Sequence, residues 1–487
     1  MKKFISAAFA FILLCTAAGA AVRLPHIIGN DMVLQRNSDV RLWGWAEEGK
    51  NVRVRTSWNN ARYSVRAGTD GFWELKVRTG EAGGPYEITL SDGEELKLTG
   101  VLLGEVWVCS GQSNMEMPVK RCGDILTEAA APADIRLFLV KKQASDTPEE
   151  DCGGCWKKAD PAAVSEFSAV GYLYAKILSA ALDGVPVGMI GPYWGGSCIE
   201  AWMTRESILA TPDIDHDIAL QGQKEPLAAE KFFNGMIWPI HRYTAKGFLW
   251  YQGCSNYHNW FDYRNLMVSM VSLWRSVWGD AEMPFYYVQI APFGGGPGHV
   301  DGRDYSMVVE AQLQALGLIP HSGMAATTDL GERDNIDISD KAAVAKRLAW
   351  LALANDYGID GLPKPAPVFS HFERDTDNQG QLLLHFDNLC PERSWYLPDS
   401  FVVFRDGKRF SPEGFELAGV DRIWHKATAS MRLESNIIRV ESPDVPYPVA
   451  VRYGFHNYLD YPVLVTTSGQ PLVPFRTDDW PVAGLSH

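Results

Sequence analysis

The chain has 487 residues, too many for one ordinary core, so two or three domains are expected. Apolar residues make up 46% and charged residues 21%, which places it among folded proteins and excludes a disordered one. A formal net charge of -14 argues against nucleic acid or an anionic membrane as partner. Seventeen Trp, 18 Tyr and 21 Phe would suit stacking on sugar rings, although large β-domain cores consume aromatic side chains too.

Residues 1–20 have the layout of a secretory signal. Lys2 and Lys3 precede an apolar run over 4–14, and Ala18-Gly19-Ala20 offers a small-residue cleavage site. The mature chain is expected to start near Ala21 and to be exported, periplasmic or extracellular. Leu14 stands before Cys15 where lipidation needs a small residue, and no later stretch is long and apolar enough to span a membrane. The other cysteines, Cys109, Cys122, Cys152, Cys155, Cys198, Cys254 and Cys390, are odd in number and widely spread, unlike a disulfide framework. Cys152-Gly153-Gly154-Cys155 has half of a zinc spacing with no second pair to complete it, leaving a local disulfide or two plain thiols. No metal and no cofactor is expected.

Residues 21–100 alternate apolar and polar residues in short runs (40–45, 52–55, 72–77, 86–90) separated by turns such as Asp70-Gly71, the pattern of an antiparallel β domain. Over 101–360 apolar strands at 181–190, 247–251 and 285–290 alternate with helical stretches at 169–180, 266–278 and 341–356. That alternation implies an α/β/α domain with a parallel sheet. The Pro-rich run 363–367 reads as a linker, and strands return over 368–480 as a C-terminal β-sandwich-like domain.

Within the central domain, Val101 to Val108 ends in Cys109-Ser110-Gly111-Gln112-Ser113-Asn114-Met115-Glu116, which reads as a strand, a tight turn and a helix start. A serine there sits at the mouth of a sheet beside a helix N-terminus, a suitable place for a nucleophile, although Ser113 or Asn114 could equally cap the helix. Gly191-Pro192-Tyr193-Trp194-Gly195-Gly196-Ser197 and Trp250-Tyr251-Gln252-Gly253-Cys254-Ser255-Asn256 follow two other strands. Their glycines free backbone N–H groups and Asn256 adds an amide, as an oxyanion requires. Gln112 and Gln252 are expected to contact substrate.

These blocks resemble the sialate O-acetylesterase family of the SGNH hydrolases, whose motifs look like Gly-Gln-Ser-Asn-Met-Glu, Gly-Gly-Thr-x-Ile-Glu-Ala-Trp and Trp-Tyr-Gln-Gly-x-Ser-Asn. The resemblance covers nearly the whole mature chain, including Phe233-Asn234-Gly235-Met236-Ile237-Trp238-Pro239. It implies Ser113 as nucleophile, and an oxyanion hole of the Ser113 amide, the Gly195-Gly196 backbone and the Asn256 side chain. The implied substrate is an acetylated carbohydrate or sialic acid, cleaved through an acyl-serine. The family's base is a His in Asp-Ile-His-Pro, which falls here on Asn335-Ile336-Asp337-Ile338. An Asp is a weaker base than an imidazole at neutral pH and has less proton to return to the leaving alcohol. Asp337 in a weakened role, His258 or His321 as a stand-in, or a pseudoesterase that only binds acetylated glycans are the alternatives. Glu116, Glu200 and Glu310 read as structural hydrogen-bonding carboxylates.

Overall fold

The structure, a computed structural model, describes residues 22–482 apart from 124–133, 223, 225, 296–301, 391–398, 403, 406–407, 410 and 432–434; the expected signal segment at 1–20 lies outside the described residues. The N-terminal unit contains β1 (Val33–Gln35), β2 (Asp39–Trp45), β3 (Asn51–Thr56), β4 (Arg62–Arg66), β5 (Phe72–Arg78) and β6 (Gly83–Ser91), followed by β7 (Glu95–Gly111). In β3 the valines point inward and the arginines outward, the two-residue period of a sheet with one wet face.

β7 joins two architectures. Its first half pairs antiparallel with β6, and its second half pairs parallel with strands of the central sheet. The boundary expected between residues 100 and 101 therefore falls inside one strand. From Val101 onward every residue of β7 is buried, so there is no place for a solvated turn.

The central sheet adds β8 (Ile135–Leu139), β9 (Trp156–Lys158), β10 (Val187–Gly191), β11 (Gly247–Tyr251), β12 (Phe285–Val288) and β13 (Ser322–Ala325), in the order β13-β12-β11-β7-β10-β8-β9. All neighbours are parallel except β8 and β9. Successive residues serve opposite faces. Val106, Val108, Phe248 and Trp250 pack with helices Trp260–Trp278 and Asp304–Leu316. Trp107, Cys109, Leu249 and Tyr251 pack with helices Ala169–Ala181 and Lys341–Asp356. The result is a three-layer α/β/α domain. The strand expected over 181–190 forms only at Val187–Gly191. Ala181 closes the preceding helix, and Asp183 (φ 56) and Gly184 (φ 83) turn the chain through the left-handed region.

After the linker, β14 (Val368–Arg374) and β15 (Gln381–Asp387) form a sheet with strands Ile438–Glu441 and Thr428–Met431. A second four-stranded sheet faces it, and Leu382, Leu384, Ile438 and Val440 meet Phe415, Leu417, Val451 and Tyr453 in a sandwich core. This domain docks on the central one through polar anchors. Arg476 Nε reaches Glu310 Oε1 at 2.8 Å, and Arg347 reaches the Gly469 carbonyl at 2.9 Å. Much of the aromatic content is core: Trp43, Trp73, Trp107, Trp202, Trp250 and Trp274 are all fully buried.

Candidate active site

β7, β10, β11 and β13 all discharge their loops at the carboxyl edge of the sheet, where open α/β sheets bind ligands. β7 ends at Gly111, whose φ is +140 and where a Cβ would sit 2.1 Å from the Tyr251 carbonyl, so only glycine fits. Gln112 then takes the N-cap position of the four-residue helix Ser113–Glu116 without a side-chain cap bond, and the helix's first N–H groups have no intrahelical acceptor.

The Ser113 hydroxyl donates to Asp337 Oδ1 at 2.6 Å across 224 residues of sequence. Asp337 sits on the loop between β13 and helix Lys341–Asp356, and that loop is held at several points. Asn335 Oδ1 accepts the Asp337 N–H at 3.1 Å, while Asn335 Nδ2 donates to the Asp337 carbonyl at 2.7 Å and to Glu332 Oε2 at 2.9 Å. Arg347 grips Asp329 with two 2.7 Å bonds at the start of the loop. Burial pushes the Glu332 carboxyl up, but bonds from Ser339 and Asn335 and the Lys341 charge outweigh it and hold it below the ordinary range.

Asn114 spans the gap between Ser113 and the loop. Its Nδ2 donates to the Ile336 carbonyl at 2.9 Å, and its Oδ1 accepts from the Lys341 ammonium. Lys341 is wholly buried and lies over the Tyr251 ring at 5.3 Å. Burial lowers its pKa to about 8, with the charge of Asp337 opposing the shift. Lys341 entered the sequence analysis only as the start of a helix.

Neither alternative histidine meets the serine. His321 lies at the amino end of β13, the opposite edge of the sheet, and pairs with Glu282 at 2.5 Å. His258 shares the carboxyl edge but is exposed, with Nε2 facing Gly222, and neither ring is hydrogen-bonded to Ser113 among the described residues.

Two expected oxyanion donors are directed elsewhere. The Gly195 N–H donates to Glu116 Oε2 at 2.6 Å, and Glu116 also pairs with Lys142. Asn256 is fully buried, and its Nδ2 donates to Glu200 Oε2 at 3.0 Å and to Asn259 Oδ1 at 3.0 Å. Its Oδ1 accepts from the Ile199 N–H and from Gln252. The cause is Glu200, a buried carboxylate that draws both asparagine amides toward itself. Burial raises its pKa against those bonds, and raises Asp262 nearby to about 6. The N–H groups of Ser113 and of the exposed Gly196 (φ 78) donate to no acceptor among the described residues.

Gln252, expected to contact substrate, has its amide engaged inside the protein. It is fully buried, donating to Ser197 O and Asn256 Oδ1 and accepting from Tyr263. Gln112 accepts the Gly253 and Ser255 N–H groups, tying the first block to the third. Glu310 pairs with Arg476, and Cys152 is buried while Cys155 is exposed and unbonded to it. A cavity of about 560 Å³ opens beside Glu116, with Leu137, Leu139, Phe167 and Tyr193 as its apolar wall and Lys142 at its rim.

The family model for carbohydrate esterases of the sialic acid-specific acetylesterase type matches residues 103–353. The sialate O-acetylesterase of Homo sapiens is 30% identical over 393 residues, 72% of this chain and 74% of that protein. The chain belongs to this family. The sialate O-acetylesterase of Mus musculus is 27% identical over 453 residues, 78% of this chain and 82% of that protein. Among solved structures, a carbohydrate acetylesterase from Xanthomonas citri superposes with a TM-score of 0.83 at 34% identity, covering 94% of this chain and 100% of that one. The three blocks quoted from sequence all lie within the matched family segment, and three strand ends bring them to one edge of the sheet.

The arrangement makes Asn256 a brace for Glu200. Asn256→Ala leaves a buried carboxylate short of a donor and lowers unfolding stability by about 2 kcal/mol in denaturant titration. An unchanged stability with a hundredfold loss of kcat would return Asn256 to the oxyanion.

Proposed function

We propose that the chain is an exported hydrolase that removes acetyl groups from sugar hydroxyls, sialic acids included, through an acyl-Ser113 intermediate. The observation that carries this reading is the 2.6 Å bond from the Ser113 hydroxyl to Asp337. As Ser113 Oγ attacks the acetyl carbonyl carbon, its proton moves to Asp337. The tetrahedral oxyanion faces the N–H groups of Ser113 and Gly196. Collapse breaks the bond to the sugar oxygen, which takes the proton from Asp337. Water then attacks the acetyl-serine, Asp337 accepts its proton, and acetate departs as Ser113 regains its hydrogen.

Asp337 does the work of the family's histidine with less proton affinity, so turnover is slower than an imidazole would allow. Asn335 replaces the neighbouring acidic residue and orients Asp337 through its backbone instead. The engaged Gly195 and Asn256 donors support a second reading, a pseudoesterase that holds acetylated glycans without cleaving them. Acetate release from an O-acetylated sugar separates the two, and binding without release selects the second. Export rests on the Lys2-Lys3 start and the apolar run that follows it.

Ser113→Ala is expected to abolish acetate release while unfolding stability stays within about 0.5 kcal/mol of wild type, since a half-buried turn hydroxyl packs little. Retained turnover would remove Ser113 from the reaction. Asp337→His is expected to raise turnover by roughly tenfold or more and to add a pH limb near 6.5 to kcat/KM. A fall in rate would show that the site is built around the carboxylate.

A further inference from the structure

The C-terminal sandwich carries a cluster that the esterase reaction does not use. On β14 and β15, Phe369 and Phe372 both face the core although they are three residues apart. Strict alternation would forbid this; the pairing slips between Phe369 and His371, so Ser370 is an extra bulged residue. The bulge turns His371 outward, directly opposite His385, and leaves Glu373 two residues on along the same outer face.

The two imidazoles stack with centroids 4.5 Å apart and planes within 3° of parallel. His371 Nε2 lies 3.9 Å from Glu373 Oε1, and one ligand atom from each of His371, Glu373 and His385 falls within 4.8 Å of the other two. The His385 Nε2 is shielded from solvent and has no hydrogen-bond partner among the described residues. Such an orphan ring nitrogen costs stability unless something accepts its lone pair or its hydrogen. Ser370 Oγ lies 3.4 Å from His371 Nδ1, the outer-shell contact that orients a metal-bound imidazole.

We propose that His371, Glu373 and His385 bind one divalent transition-metal cation of the zinc class on the outer face of the C-terminal sandwich. Two imidazoles and one carboxylate are the donor set that borderline cations such as Zn²⁺ select, and they leave a fourth position open to water. Ligand atoms about 2.1 Å from a tetrahedral ion lie roughly 3.4 Å apart, so the three side chains need to converge by about an ångström. The exposed His371 and Glu373 are free to move that far by rotamer adjustment. A bound ion would clamp β14 to β15 beside the bulge.

The test uses the full chain, stripped with chelator and titrated with ZnCl₂ in a calorimeter, wild type beside His371→Ala. The expected result is one equivalent bound by wild type and at least tenfold weaker binding by His371→Ala, whose exposed ring leaves folding untouched. A parallel Co²⁺ titration should give visible ligand-field bands without a thiolate charge-transfer band. Equal affinity in the two proteins, a thiolate band, or no binding by wild type would each overturn the proposal. Glu373→Gln, expected to weaken binding as well, separates a three-ligand site from a bare histidine pair.

Discussion

Asn114 is the residue on which the site depends. A serine hydroxyl on one strand end and a carboxylate more than two hundred residues later meet within hydrogen-bonding distance. Two loops would not hold that separation unaided. Asn114 follows Ser113 on the same short helix and reaches across to both the Ile336 carbonyl and the Lys341 ammonium. The loop bearing Asp337 is thus tied to the helix bearing Ser113 by one buried side chain, and the Arg347–Asp329 pair secures the far end. Rigidity here is chemical as well as mechanical, since a misplacement of about an ångström can cost a hundredfold in rate.

Charge placement around this tie follows the same economy. Lys341 sits in the first turn of its helix, at the positive end of the dipole and out of water, a position that local preference disfavours. What compensates is the ring of negative and polar groups it faces: Asp337, Glu332, Asn114 and the Tyr251 ring. On the other side of Ser113 the buried Glu200 has asparagine amides and, among the described residues, no cation, so its charge is spread over Asn256 and Asn259. The carboxyl edge of the sheet is therefore supported by two polar networks of opposite character.

The periodic elements were legible in the sequence. The strand at Gly247–Tyr251 and the helix at Lys341–Asp356 form where apolar spacing places them, because packing on a covered sheet rewards that spacing directly. β7 was not legible as one strand, since a run buried on both faces carries no alternation to mark where one sheet ends and the next begins. The meeting of Ser113 with position 337 came from the resemblance, as no local pattern reports a contact at that distance. The roles of Gln252 and Asn256 were illegible for a different reason. An amide's partner is decided by whichever acceptor the fold delivers, and Glu200 arrives from a separate strand end. Lys341 had a readable signal, a lysine at the wrong end of a helix dipole. Such local conflicts gather at functional sites.

The central claim is that Asp337 activates Ser113, and the rate of covalent labelling by a serine-directed fluorophosphonate tests it without involving a leaving sugar. Labelling of wild type is predicted to fall on Ser113, and to be roughly 100-fold slower in Asp337→Asn, the lower range of general-base contributions. Equal labelling rates in the two proteins would contradict the account.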